Sequence, residues 1–196
     1  MLSFPLRARR QGDASRFSSN GESRMRFPVF IDIEEKPCLV VGGGPVAARK
    51  AGVLREFGAR VVQVSPETCG RAFADSDIDG MELVVSATGD PAVNRHVADL
   101  CRGKGIPVNV VDDPANCTFF FPAICRKGPM VVAVSSGGAC PAAASLVRDK
   151  ASRLMPDGFI DAVERLGRDR EKLKARYRDL SERKKACLEE LEKWSD

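Results

Sequence analysis

An α/β fold with a doubly wound parallel sheet is predicted by three observations. Short apolar runs recur at residues 38–41, 60–64, 83–87 and 107–111. Stretches with helical spacing lie between them, at 45–57 and 91–104. A glycine cluster, Gly42-Gly43-Gly44, follows the first run directly. Strands that alternate with helices close a parallel sheet through right-handed crossovers.

Order is expected from Phe27 onward. Residues 1–24 are rich in Arg, Ser and Gly without apolar periodicity and read as a disordered extension. Phe30 to Ile33 reads as a short strand or edge segment. Cys38-Leu39-Val40-Val41 is a compact apolar run, as expected of a strand buried on both faces. From Pro45 to Phe57 the apolar residues Val46, Ala47, Val53, Leu54 and Phe57 share one side, and Gly58 is a plausible stop. A poorly defined third element surrounds residues 73–78. The helix at 91–104 opens with Pro91 in its first turn.

The alternation stops near Asn116. Phe119-Phe120-Phe121 and residues 130–134 are strand-like, with a Gly128-Pro129 turn between them. A helix is expected from Pro141 to about Pro156. Beyond Phe159 the chain is helical and charged, with Leu173, Tyr177, Leu180, Cys187, Leu191 and Trp194 at three-four spacing as on one amphipathic helix. Such a stripe needs a partner surface. The expected organisation is an extension at 1–24, a nucleotide-binding domain at 25–116, a dimerisation region at 117–140 and a helical region at 141–196, in a homodimer.

Composition narrows the function. The chain has 196 residues, 43% of them hydrophobic and 30% charged, as expected of a globular protein. Of the net charge of +4, +3 originates in the first 24 residues, where five arginines meet only Asp13 and Glu22. The rest is nearly neutral, which argues against nucleic-acid binding. No apolar run approaches the roughly 20 residues of a membrane span. The seven cysteines include no C-x-x-C pair, and His96 is the single histidine, so no metal site is expected. An odd cysteine count suggests reduced thiols in a cytoplasm, each a small buried hydrophobe. His96 reads as a surface or partly packed side chain.

The glycine cluster carries the chemistry. Gly42, Gly44 and Ala47 fill the pattern G-x-G-x-x-G/A. The first glycine permits a tight turn out of the strand. The second lets backbone approach a pyrophosphate, and Ala47 lets helix and strand pack closely. The pyrophosphate then rests on the helix N-terminus, at Pro45 and Val46. With a strand before it and a helix after it, this is a Rossmann-type dinucleotide site. The second strand lacks the terminal acid that usually holds the ribose. Ser65 stands there, then Pro66, with Glu67 two residues beyond Ser65. No arginine follows closely to receive a 2′-phosphate, so NAD is favoured. Thr88 and Gly89, after the next buried strand, are expected to border the nicotinamide.

Several stretches together resemble the precorrin-2 dehydrogenases, including the N-terminal half of siroheme synthases. They are 27–30 (FPVF), 41–50 (VGGGPVAARK), 87–90 (ATGD) with Asn94, 109–114 (NVVDDP), Phe121-Pro122, and 132–138 (VAVSSGG) with Pro141. The resemblance implies oxidation of precorrin-2 to sirohydrochlorin with NAD as hydride acceptor. In some members it also implies insertion of Fe²⁺ or Co²⁺. It implies a catalytic aspartate at Asp112 and tetrapyrrole contacts at Ser136, Gly137 and Asn109. Read from the residues alone, Asp112 either acts as a general base beyond a strand end or caps the turn before Pro114. Ser136 either caps a helix or contacts an anion. Arg126, Lys127, Arg148, Lys150 and Arg153 are either exposed charge or partners for substrate carboxylates. Ser145 stands where the family often has arginine. The competing function is an NAD-binding regulatory module without turnover.

Overall fold

In a computed structural model, residues 26–194 are described, and the extension expected at 1–24 lies outside them. The chain divides into two compact units, one over 28–121 and one formed mainly by residues from 122 onward.

The first unit is a four-stranded parallel sheet in the order β2-β1-β3-β4, with β1 at Pro37–Val41, β2 at Arg60–Val64, β3 at Leu83–Ser86 and β4 at Val108–Val110. Helix α1 (Pro45–Glu56) joins β1 to β2, α2 (Pro66–Cys69) follows β2, and α3 (Pro91–Lys104) joins β3 to β4. The ill-defined element near residue 75 is a 3₁₀ turn, Asp75–Ile78, and the strand that Asp112 follows is β4. Arg71 and Asp77 hold this turn through two 2.7 Å hydrogen bonds.

The central strands β1 and β3 are apolar and buried because both sheet faces are covered there, whereas the edge strand β2 carries Arg60 and Gln63. Leu39 and Val41 point into one core with Val97, Ala98 and Cys101 of α3. Cys38 and Val40 point into the other with Ala47, Ala51 and Leu54 of α1. Burial raises the thiol pKa of Cys38 and pushes Cys101 up to about 11, which keeps both as apolar filler. Cys69 and Cys140 depart from that expectation and are exposed.

The segment at 30–33 forms no strand, and of its residues only Ile33 reaches the core. Phe119 and Phe121 are likewise not strand residues. They pack on the α1 face of the sheet, and the amides of Thr118 and Phe119 bond to the Val108 carbonyl. This anchorage carries the first unit to Phe121.

The second unit contains an antiparallel hairpin, β5 (Ala123–Lys127) and β6 (Met130–Val134), turned at Gly128-Pro129. Helix α4 (Pro141–Arg153) packs on both strands. The charged tail is three helices instead of one: α5 (Asp157–Arg168), α6 (Arg170–Arg176) and α7 (Leu180–Leu191). The break has a local cause. The Asp179 carboxylate accepts hydrogen bonds from the amides of Ser181 and Glu182, which starts a new helix in the middle of the heptad stripe. No helix among the described residues is long and apolar enough to cross a membrane.

Candidate functional site: a dinucleotide cleft

Parallel pairing puts the carboxyl ends of all four strands along one edge. The order reverses between β1 and β3, since the chain runs from β1 to β2 on one side and returns to β3 on the other. A crevice forms where loops diverge in this way. Here it is a cleft of about 760 Å³, lined by the glycine loop, the start of α2 and the turn after β3.

Gly42 leaves β1 with φ +131°, and a side chain there would collide with the Ala87 carbonyl. The loop is held by Gly42 N donating to Val64 O and Gln63 Nε2 donating to Gly42 O, both at 2.9 Å. Around the Cβ position of Gly44 there is no atom within 4 Å, so its face of the loop is open. Gly44 is the N-cap of α1 and supplies no side chain to its free amides. By contrast, α3 is capped by the Asp90 carboxylate, which accepts from Ala92 N and Val93 N. Of the three helix starts at the cleft, that of α1 alone has no side-chain cap, which suits it to an anion such as a pyrophosphate.

Ser65 caps α2 by accepting from Thr68 N at 3.1 Å. This short helix folds Glu67 back over the loop, so that a side chain on Gly43 would run into the Glu67 carboxylate and the Ser65 hydroxyl. The Ser65 hydroxyl, and then Glu67's own backbone N–H, hold the Glu67 carboxyl below its ordinary range, so the acid stays ionised. Glu67 thus brings a carboxylate to the glycine loop, two residues beyond Ser65 at the end of β2. These features fit a dinucleotide: an open glycine cradle, an uncapped helix and an adjacent carboxylate.

Of the residues expected to bind cofactor, Gly42, Gly44, Ser65, Pro66, Glu67, Thr88 and Gly89 line the cleft together. Pro45 and Val46 form the first turn of α1 outside the lining, and Ala47 is buried beneath it. Asp112 lies beyond β4 on the same edge, exposed, with φ +59°. Asp113, beside it, accepts from Asn116 Nδ2 at 2.6 Å. Asn109 is buried, and its amide donates to Phe119 O at 3.0 Å. Ser136 and Gly137 belong to the other unit, in the loop between β6 and α4. There Ser136 Oγ accepts from Cys140 N at 3.0 Å, and Arg26 donates to the Gly137 carbonyl.

Sequence reasoning missed Phe73, Asp75 and His96, which also line the cleft. None has a local signal; the 3₁₀ turn and α3 bring them together. It also gave Asn94 no role. Buried beneath the turn after β3, the Asn94 amide binds Ser86 and Thr88.

Residues 29–123 match a family model described as "Putative NAD(P)-binding". Two siroheme synthases extend the similarity. That of Thioalkalivibrio sulfidiphilus is 41% identical over 174 residues, 81% of this chain and 36% of the relative. That of Pseudomonas entomophila is 40% identical over 173 residues, 81% of this chain and 37% of the relative. Over most of its length the chain is related to the siroheme synthases. It spans little more than a third of theirs. Among solved structures, "SirC, precorrin-2 dehydrogenase" superposes with a TM-score of 0.62 at 22% identity, covering 84% of this chain and 88% of that one. That likeness supports the α/β fold with its further strand and helical regions.

Proposed function

We propose that this siroheme synthase relative oxidises precorrin-2 to sirohydrochlorin, with NAD as cofactor. The observation that carries the reading is the glycine cleft at the strand-order reversal, with the Asp112 carboxylate on the same edge of the sheet. The match to siroheme synthases over 81% of the chain supports the choice of substrate.

NAD supplies the hydride acceptor when bound. The protein's own residues do the rest. The loop at Gly42–Gly44 and the uncapped start of α1 hold the pyrophosphate. Ser65 and Glu67 hold the adenosine ribose, and the ionised Glu67 repels a 2′-phosphate. The nearest following arginine, Arg71, is already engaged by Asp77. Thr88 and Gly89 border the reacting end of the cofactor. Loss of two hydrogens from the macrocycle, one of them as hydride, would also release a proton that needs a base. Asp112 takes that proton. Each unit brings tetrapyrrole contacts of its own, Asn109 in the first and Ser136 and Gly137 in the second, and residues 117–140 join two copies into a cytoplasmic homodimer. Two free hairpin edges on β5 and β6 favour such pairing.

The test is NADH formation at 340 nm with enzymatically made precorrin-2, with NADP as the comparison. Turnover with NAD supports the dehydrogenase. Binding of NAD without turnover replaces it by a regulatory module. A second incubation with sirohydrochlorin and Fe²⁺ or Co²⁺ as substrates decides whether metal insertion follows.

A further inference from the structure

The cleft wall beyond α2 has a chemistry of its own. Phe73 and Asp75 come from the connection after α2, and Ala92, Val93 and His96 from the first two turns of α3. His96 Nε2 and Asp75 Oδ1 lie 2.7 Å apart and join segments separated by 21 residues. The Phe73 ring stands edge-on to the imidazole, with centroids 6.4 Å apart and planes at 75°. Both members of the pair are more than half exposed, at 54% and 66%. A pair so exposed adds little to stability. What distinguishes it is its place at the rim of the cleft.

The layout of a dinucleotide dictates what reaches this wall. With a pyrophosphate on the glycine loop, the ribose that follows would lie by Ser65 and Glu67. The base attached to that ribose would point away from the pyrophosphate, into the space past α2. There Ala72, Ala92 and Val93 offer an apolar surface, and Phe73 an aromatic one, for a flat ring. At its edge stand one carboxylate and one imidazole. Adenine presents an amine donor beside ring-nitrogen acceptors. Asp75 keeps its second carboxylate oxygen as an acceptor, and with Nε2–H donating to Asp75 the imidazole Nδ1 is an acceptor as well, so this edge matches the two hydrogens of the amine. Hypoxanthine has a carbonyl in place of the amine and would set an acceptor against the carboxylate.

We propose that Phe73, Asp75 and His96 form the adenine end of the cofactor cleft, and that the Asp75–His96 pair reads the 6-amino edge of the base. This rests on the dinucleotide reading above and goes beyond it by assigning base specificity to two residues.

The experiment is calorimetric titration of the full chain and of Asp75→Asn and His96→Ala with NAD and with nicotinamide hypoxanthine dinucleotide. Thermal melts confirm that both variants fold, as expected for exposed side chains. The wild type should prefer NAD about tenfold or more, the scale of a mismatched polar edge. Asp75→Asn should reduce that preference to about twofold or less, because an amide both donates and accepts. His96→Ala should weaken NAD binding by about tenfold. An undiminished preference in Asp75→Asn, or NAD affinities unchanged in both variants, overturns the proposal and leaves the cofactor site standing. A wild type that binds neither dinucleotide overturns the cofactor reading together with it.

Discussion

The amide oxygen of Asn94 accepts a 2.7 Å hydrogen bond from the Ser86 hydroxyl, and both residues are buried. The same oxygen accepts from Thr88 Oγ1 at 2.7 Å and Thr88 N at 3.2 Å, while Asn94 Nδ2 donates to Thr88 O at 3.2 Å. One side chain of α3 thereby fixes the turn that borders the cleft. Asn94→Ala strands a buried hydroxyl and two backbone groups. The expected loss is about 2–3 kcal/mol in urea denaturation, together with weaker NAD binding. A variant with wild-type stability and affinity would show that the turn is held by other means.

Gly42 and Gly44 should fail in different ways. Gly42→Ala forces a side chain into the Ala87 carbonyl at a backbone angle that favours glycine, so the protein should be grossly destabilised. Gly44→Asp places its Cβ in open space, where no atom outside the adjoining backbone lies within 4 Å. It should fold with a near-normal melting temperature yet bind no NAD, because a side chain and a negative charge then occupy the pyrophosphate position. Melting curves paired with calorimetry separate the two. Equal damage to stability would contradict the open cradle at Gly44.

Asp112 has the left-handed backbone that asparagine tolerates well, so Asp112→Asn is a mild change for the fold. With Asp112 as general base, turnover should fall by roughly 10² to 10⁴ at unchanged NAD affinity. Asp113→Asn should act mainly on local stability, since Asp113 is tied to Asn116. Steady-state kinetics on both, with folding checked by circular dichroism, decides the matter. Near-normal turnover in folded Asp112→Asn ends the proton-transfer role.

The Lys50 ammonium rests on the Phe121 ring, 3.7 Å from its centroid. Burial, and then neighbouring Arg49, push it down to about 8, with Cys117 opposing. The unfolded chain keeps the ordinary lysine value near 10.4. Between these values the unfolded state holds more protons, so this group's penalty is complete below pH 8 and fades as pH rises. The ring contact returns part of it. Relative to Lys50→Met, the wild type should therefore gain stability between pH 7 and pH 10. Urea denaturation of both proteins across that range measures the difference, and a constant gap refutes the shifted pKa.

The sequence makes legible what rests on local rules. Residues 38–64 show the first strand, glycine turn, helix and second strand directly, because buried strands and glycine turns leave short-range marks. The cysteine pattern at Cys38 and Cys101 follows the same logic. Phe119 and Phe121 were misleading, since an aromatic run looks like a strand whether it pairs or fills a core. The tail misled for the opposite reason: a heptad stripe spans residues 173–194, but the cap at Asp179 overrides it. Glu67 is visible as an acid just past the second strand, yet its position over Gly43 depends on how Ser65 starts α2. The contact between Asp75 and His96 has no sequence mark, because it is made only when the 3₁₀ turn meets α3.

Every residue lining the cleft falls between Val41 and His96, and the compact unit around it ends at Phe121. A ribosome therefore makes the whole nucleotide-binding surface before it makes α4 to α7. NAD in the surrounding solution would bind and stabilise this nascent portion by mass action while later residues are still being synthesised. Truncation or mistranslation beyond Phe121 would then yield a fragment that still sequesters cofactor.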